Sequence, residues 1–223
     1  MSEATPTPSI ANLRHFARKR ARGVTPSVRS DKASASKPPG ERFAAFYYEK
    51  LITALIAFSR SGFTGRAVED AVAAAPSLKQ PSFADAGTGI KRFLAETRPS
   101  KVSRKQRSLR ACDTDGTELV TIRPHLVLED EAGQTIWVHV YFGEGKLAPI
   151  ERDLIETALA LATADQTLLP LIAVLRARSG ELAIIDRATA SSATRVDQLR
   201  TESDAYRAAW ADVDLDDAPG ERN

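Results

Sequence analysis

The apolar positions of the chain follow a helical period first and an alternating period later. Apolar side chains between residues 43 and 58 recur at intervals of three and four, which predicts an amphipathic helix that Ser61-Gly62 ends. An alanine-rich helix is predicted from about residue 65 to 75, where Pro76 stops it. A third helix begins between residues 82 and 89 and ends at the Arg98-Pro99 break.

Alternating positions after Pro99 predict strands instead of helices. The pattern places strands at 106–112, 117–128 and 135–142, then a helix that Pro149 opens, then strands at 170–178 and 181–187. Thr194 and Asp197 resemble a capping box and predict the start of a last helix.

The order of these elements predicts an α/β fold. From residue 88 to 187 the order is helix, strand, strand, strand, helix, strand, strand, and an α-helical layer precedes it. Three strands in a meander followed by a crossover helix give a mixed sheet covered by helices. We therefore expect four parts: a disordered basic arm (1–42), a helical layer (43–87), the α/β domain (88–212) and an acidic disordered tail (213–223).

Composition narrows the class of protein. The 223 residues suffice for a packed core, and a single cysteine, Cys112, excludes an intramolecular disulfide framework and fits a reducing cytoplasm. No apolar stretch approaches the roughly 20 residues that cross a bilayer, and the N-terminus lacks the apolar region of a secretory leader. We expect a cytoplasmic protein without a membrane segment.

Charge is distributed unevenly under a net charge of +2. Residues 1–42 hold nine Lys/Arg against three acids, and residues 197–223 hold eight acids against three Arg. A basic segment can contact the phosphates of a nucleic acid regardless of its base sequence, or it can fold onto the acidic end of the same chain. The candidate nucleic-acid ligands are Arg14, Arg18, Lys19, Arg20, Arg22, Arg98, Lys101, Arg104, Lys105, Arg107 and Arg110.

Two histidines lie in the middle of the predicted hairpin RPHLVLEDEAGQTIWVHVYF (123–142). If the hairpin turns about Ala132, with Gly133 supplying a positive φ, residues whose numbers sum to 264 are opposite each other. His125 then faces His139, with Cβ atoms roughly 5 Å apart. Such a pair can share a water or a metal ion, or it can be two polar residues on a half-buried sheet.

The same segment resembles the PD-(D/E)XK nuclease superfamily, the restriction-endonuclease-like fold. The resemblance rests on the order helix, three strands, helix, strand. It places Pro124-His125 at the Pro-Asp motif and His139-Val140-Tyr141 at the Glu-x-Lys motif. In that family these positions hold Mg²⁺ against the scissile phosphate. Here His125, His139 and Tyr141 replace the catalytic residues, and imidazole is a poor ligand for magnesium.

Neighbouring residues offer an alternative ligand set. Glu129 shares the parity of His125, Glu96 lies on the preceding helix, and Lys146 follows the third strand. A His-His-Glu set would hold zinc or manganese and activate a water. Three hypotheses result: a catalytically degenerate nuclease-like protein that binds nucleic acid, a protein-interaction module using the helical layer or the acidic tail, and an atypical metal-dependent nuclease that uses the histidines.

Overall fold

The computed structural model describes residues 6–37, 48–105 and 107–213. The helices of these ranges are α1 (Ile10–Ala21), α2 (Arg29–Ala35), α3 (Glu49–Arg60), α4 (Ala67–Ala73), α5 (Gln80–Thr97), α6 (Pro149–Ala162), α7 (Arg187–Ala190) and α8 (Ala193–Ala211). The strands are β1 (Lys101–Ser103), β2 (Leu109–Cys112), β3 (Glu118–Ile122), β4 (Leu126–Glu129), β5 (Thr135–Tyr141), β6 (Leu171–Arg176) and β7 (Glu181–Ile184). None of the helices in the described ranges has the length and apolarity that a bilayer span requires.

A mixed five-stranded sheet with the order β1-β4-β5-β6-β7 organises the fold. β5 and β6 are parallel and α6 connects them, while the other neighbours are antiparallel. The predicted α/β class and the crossover helix are therefore confirmed. β2 and β3 form a separate two-stranded sheet, and Thr121 of β3 also makes a parallel bridge to Ser9, just before α1.

The predicted three-strand meander is wrong in two respects. The single strand expected over residues 117–128 is divided, because β3 ends at Ile122 and β4 begins at Leu126. Pro124 lies at this break, where its missing N–H cannot continue a ladder. β1, which is too short to show a period, takes the place beside β4 that the meander assigned to β2.

Apolar residues fill both faces of the five-stranded sheet. One face carries Trp137 and Tyr141 and packs with α1, α6, α8 and the β2–β3 sheet. The other carries Val138 and Val140 and packs with α3, α4 and α5. Successive strand residues point to opposite faces, so both layers depend on the register of β5.

The predicted boundary between a helical layer and a domain at residue 88 is also wrong. It falls inside α5, which is one continuous helix. A Cβ added at Gly89 would lie 2.0 Å from the carbonyl oxygen of Ala177, so this glycine lets α5 approach the β6–β7 hairpin closely. The helical layer and the sheet consequently share one apolar core.

Residues 6–37 are not the disordered arm that their composition predicted. Leu13 and Phe16 of α1 are buried in the core, and the Tyr206 hydroxyl of α8 donates to Asp31 of α2 at 2.9 Å. Arg20 forms an ion pair with Glu202 at 2.9 Å, as the folding of the basic segment onto the acidic one would require. The remaining residues of the predicted arm, 1–5 and 38–42, lie outside the described residues.

The last helix begins earlier than the predicted capping box. Ser192 is the N-cap of α8, so Thr194 and Asp197 lie inside the helix. Of the predicted acidic tail, residues 214–223 lie outside the described part of the chain.

Candidate functional site

His125 and His139 lie side by side, as the hairpin register predicted. Leu126 pairs with Val138 and Val127 with Trp137, which is the expected sum of 264, and Gly133 has a φ of 79° in the turn. The two imidazole centroids are 4.8 Å apart and the rings are tilted by 53°. We call these two residues the histidine pair.

Hydrogen bonding distinguishes the two rings. The backbone N–H of Val140 donates to Nδ1 of His125 at 2.9 Å, so a neutral His125 carries its proton on Nε2. His139 is only 6% exposed, and its Nδ1 has no hydrogen-bond partner within the described residues. The pair thus presents one N–H donor and one buried nitrogen without a partner.

Burial, partial for His125 and nearly complete for His139, disfavours the charged form of both imidazoles. Desolvation, followed by the charges of Arg123 and Arg14, lowers the pKa of His125 to about 4. Desolvation also lowers the pKa of His139, with His125 and Arg14 acting in the same direction and a backbone hydrogen bond to Arg123 opposing them. A charged imidazole in this position would lose its hydration without gaining an acidic partner among the described residues.

α1 brings a guanidinium next to the pair. The Arg14 guanidinium lies 5.0 Å from the centroid of the buried Tyr141 ring. Its Nη1 atom is 2.9 Å from Oε1 of Glu151, and Arg18 reaches the same oxygen at 3.8 Å. Glu151 is 1% exposed, so two arginines hold one buried carboxylate.

The start of α3 supplies the other side of the site. Glu49 accepts from Arg104 at 2.6 Å and pairs with Arg123 at 2.9 Å. The neighbouring Tyr48 stacks on Phe142 at 3.8 Å, and the Phe142 ring lies 5.6 Å from His125. These ring contacts place the first turn of α3 beside the histidine pair.

A lysine adds a further positive charge near the histidine pair. Nζ of Lys105 lies 4.0 Å from the centroid of the Trp137 ring, on the face that also carries His139. The backbone oxygen of Lys105 accepts from Nε of Arg123. We call five side chains the cationic rim: Arg14, Arg18, Arg104, Lys105 and Arg123.

The predicted additional ligands do not join the pair. Glu129 is four residues from His125 along an extended chain, roughly 13 Å away, where it pairs with Lys101. Glu96 is exposed near the end of α5, and Lys146 is exposed in the loop after β5. No group of three or more His, Cys, Asp or Glu that could hold a metal occurs in residues 6–37, 48–105 and 107–213. The predicted His-His-Glu set is therefore wrong.

The predicted basic residues have different environments. Besides the cationic rim, three of them form ion pairs with acids: Arg20 with Glu202, Lys101 with Glu129, and Arg110 with Glu118. Lys19 is partly exposed, and three others are exposed: Arg22, Arg98 and Arg107. Their contact with nucleic acid stays a prediction.

Sequence reasoning missed three residues of the site: Glu49, Arg123 and Glu151. Arg123 directly precedes Pro124-His125, which was a usable signal. Glu151 follows Pro149 in the first turn of α6, where an acid is expected for the helix dipole, and its Oε2 accepts from the N–H of Ala148. No local pattern indicated that either glutamate would meet arginines from distant segments.

Comparison of the chain with protein-family models, with curated proteins and with solved structures gives no match.

Proposed function

We propose that this protein is a nuclease-like protein that binds the phosphate backbone of nucleic acid at the histidine pair, without metal-dependent cleavage and without sequence choice. The observation that carries the proposal is the cationic rim around two uncharged imidazoles. The rim has five cations, and two carboxylates, Glu49 and Glu151, accompany them. The site therefore has an excess of positive charge at neutral pH.

The ion pairs leave donors for a ligand. A guanidinium carries five N–H donors, and Glu151 engages only part of those on Arg14, whose side chain is 23% exposed. Phosphate oxygens accept well from guanidinium groups, and Nε2–H of His125 adds a neutral donor. An anion would gain these contacts without displacing the carboxylates.

The same groups disfavour a catalytic metal. Magnesium requires several oxygen ligands, and the two glutamates of the site, Glu49 and Glu151, are each held by two arginines. A divalent cation beside the rim would also be repelled by guanidinium groups. These contacts support binding without the two-carboxylate reaction of the nucleases that the sequence resembles.

The arrangement of elements supports the proposal at the level of fold. α5, β1, β4, β5, α6 and β6 follow the order helix, three strands, helix, strand, with two antiparallel pairs and then a parallel pair. The resemblance was drawn on a meander that began with a strand at 106–112; β1 takes the place of that strand beside β4, and the β2–β3 sheet is inserted after β1. A shared fold alone does not carry function, so the cationic rim remains the main support.

Fluorescence anisotropy with a labelled 20-base-pair duplex tests the proposal. We expect Lys105→Gln to weaken binding roughly fivefold, about 1 kcal/mol, because it removes one phosphate contact of the rim. Lys91→Gln is the matched control, since Lys91 lies on α5 and pairs with Glu69 away from the rim. Equal affinities for the wild type and the Lys105→Gln variant would contradict the assigned site.

A nicking assay with a supercoiled plasmid tests the non-catalytic part. We expect no cleavage with magnesium or manganese at protein concentrations that saturate binding. Cleavage that His125→Asn abolishes would contradict the proposal. A protein partner bound through the helical layer or the acidic tail stays a prediction, and absence of nucleic-acid binding would favour it.

A further inference from the structure

A groove runs between α3 and the edge strand β1. Its volume is about 650 Å³, and hydroxyl and guanidinium groups line it together with the apolar side chains of Ile56 and Ala57. The hydroxyls belong to Thr53, Ser61 and Ser103, and the guanidinium groups belong to Arg60 and Arg104. None of its described lining residues is acidic.

The groove continues directly from the candidate site. Arg104 lines the groove and also belongs to the cationic rim, where Glu49 joins it to Arg123. Arg60 lines the groove at the opposite end of α3, is exposed, and forms no ion pair within the described ranges. The 12 residues of α3 separate Glu49 from Arg60 by roughly 16 Å.

We propose that this groove takes the phosphodiester backbone of the same nucleic-acid strand beyond the histidine pair. The inference rests on the proposed function and adds the path of the ligand to it. Arginine, serine and threonine are side chains that contact phosphate and sugar in nucleic-acid complexes. Because none of the described residues that line the groove is aromatic, we expect no base stacking on them, and their contacts would be insensitive to sequence.

The length of α3 sets the shortest ligand that reaches both ends. Phosphates along one strand of a duplex advance about 3.4 Å per nucleotide, so roughly 16 Å corresponds to about five nucleotides. A trinucleotide can occupy the rim alone, whereas a dodecamer reaches Arg60 as well. The contribution of Arg60 must therefore depend on ligand length.

Affinities for a trinucleotide and for a 12-nucleotide strand, single and in a duplex, test the groove. We expect Arg60→Gln to weaken binding of the 12-nucleotide ligands roughly fivefold and to leave the trinucleotide unchanged. Thr53→Glu, at an exposed position of α3, should weaken the longer ligands at least as much by placing a carboxylate in the groove. Arg66→Gln is the matched control, because Arg66 is exposed at the start of α4 and does not line the groove.

The outcomes separate this inference from the function on which it rests. If Lys105→Gln weakens every ligand while Arg60→Gln and Thr53→Glu weaken none, the groove assignment is overturned and the proposed site stands. If the wild type binds neither length, both are overturned. Equal loss for the trinucleotide and the longer ligands on Arg60→Gln would also overturn the groove, because it would place Arg60 at the rim.

Discussion

Acid should destabilise this protein through the histidine pair. In the unfolded chain each histidine has the ordinary pKa of 6.5, while in the folded protein the pKa of His125 is about 4 and that of His139 is also lowered. Below pH 6.5 the unfolded state therefore binds more protons than the folded state. The contribution of the neutral pair to the free energy of unfolding is therefore fully present above pH 6.5 and is lost as the pH falls towards 4.

The expected loss in the free energy of unfolding follows from the difference in pKa between the unfolded and the folded protein. One pKa unit corresponds to 1.36 kcal/mol, so lowering the pH to 5, about 1.5 units below the unfolded pKa, removes about 2 kcal/mol for His125. His139 adds a loss in the same direction, because its burial, followed by the charges of His125 and Arg14, opposes its protonation. Glu151, the buried acid near Arg14, is held by two arginines and offers the pair no counter-charge.

Urea unfolding at pH 7 and pH 5, followed by tryptophan fluorescence, measures this loss. The informative variant combines His125→Asn, which retains an acceptor for the N–H of Val140, with His139→Leu. We expect the wild type to lose at least 2 kcal/mol more than this variant between the two pH values. His15→Asn is the comparison variant. His15 is exposed on α1, and partial desolvation followed by Lys19 lowers its pKa, so we expect this variant to remove only a small part of the pH dependence. Identical pH dependence of the wild type and the double variant would refute the assignment of neutral, buried imidazoles.

Three further perturbations follow from the packing. Gly89→Ala places a Cβ against the carbonyl oxygen of Ala177, and we expect a loss of about 2 kcal/mol or more in urea unfolding, despite a gain of about 1 kcal/mol in helix propensity. Tyr206→Phe removes the hydroxyl that donates to Asp31, and the same assay should show a loss of about 1.5 kcal/mol. Excess zinc should not raise the melting temperature, because the histidine pair has no third ligand among the described residues and lies beside the cationic rim.

Each of these three predictions has a control. Thr88→Ala, on the exposed side of α5, should change stability by less than about 0.5 kcal/mol, and a similarly small effect of Gly89→Ala would contradict the close approach. A double-mutant cycle of Tyr206→Phe with Asp31→Asn should show coupling, and additivity would argue against packing of α2 on α8. Thermal stabilisation by zinc that His125→Asn removes would contradict the argument against a metal.

Local sequence patterns predicted the individual helices and strands better than they predicted how these elements pack together. The period of the β4–β5 hairpin was sufficient to place His125 opposite His139, because register follows from the turn and the alternation. The division of a predicted strand at Pro124 was not foreseen, although proline in a strand is a known signal. β1 is only three residues long and had no period from which to predict it.

The chemistry around the pair depended on long-range contacts. Arg14 meets Glu151 across 137 positions, and Glu49 meets Arg104 across 55. Proline-rich, basic composition predicted disorder for the segment that contains Arg14, yet Leu13 and Phe16 bury its apolar face. The sequence therefore identified the histidines and named four of the five rim residues as candidate phosphate ligands, but it did not indicate that these residues would meet Glu49 and Glu151 around the pair.

The dependence of duplex affinity on salt tests the central claim most directly. Binding through phosphates releases counterions, so the logarithm of the association constant should fall linearly with the logarithm of the salt concentration. We predict a steep negative slope for the wild type that Lys105→Gln reduces by about 0.9, the value of one phosphate contact, while Lys91→Gln leaves it unchanged. Binding that is absent or insensitive to salt would contradict the claim that this site holds a nucleic-acid backbone.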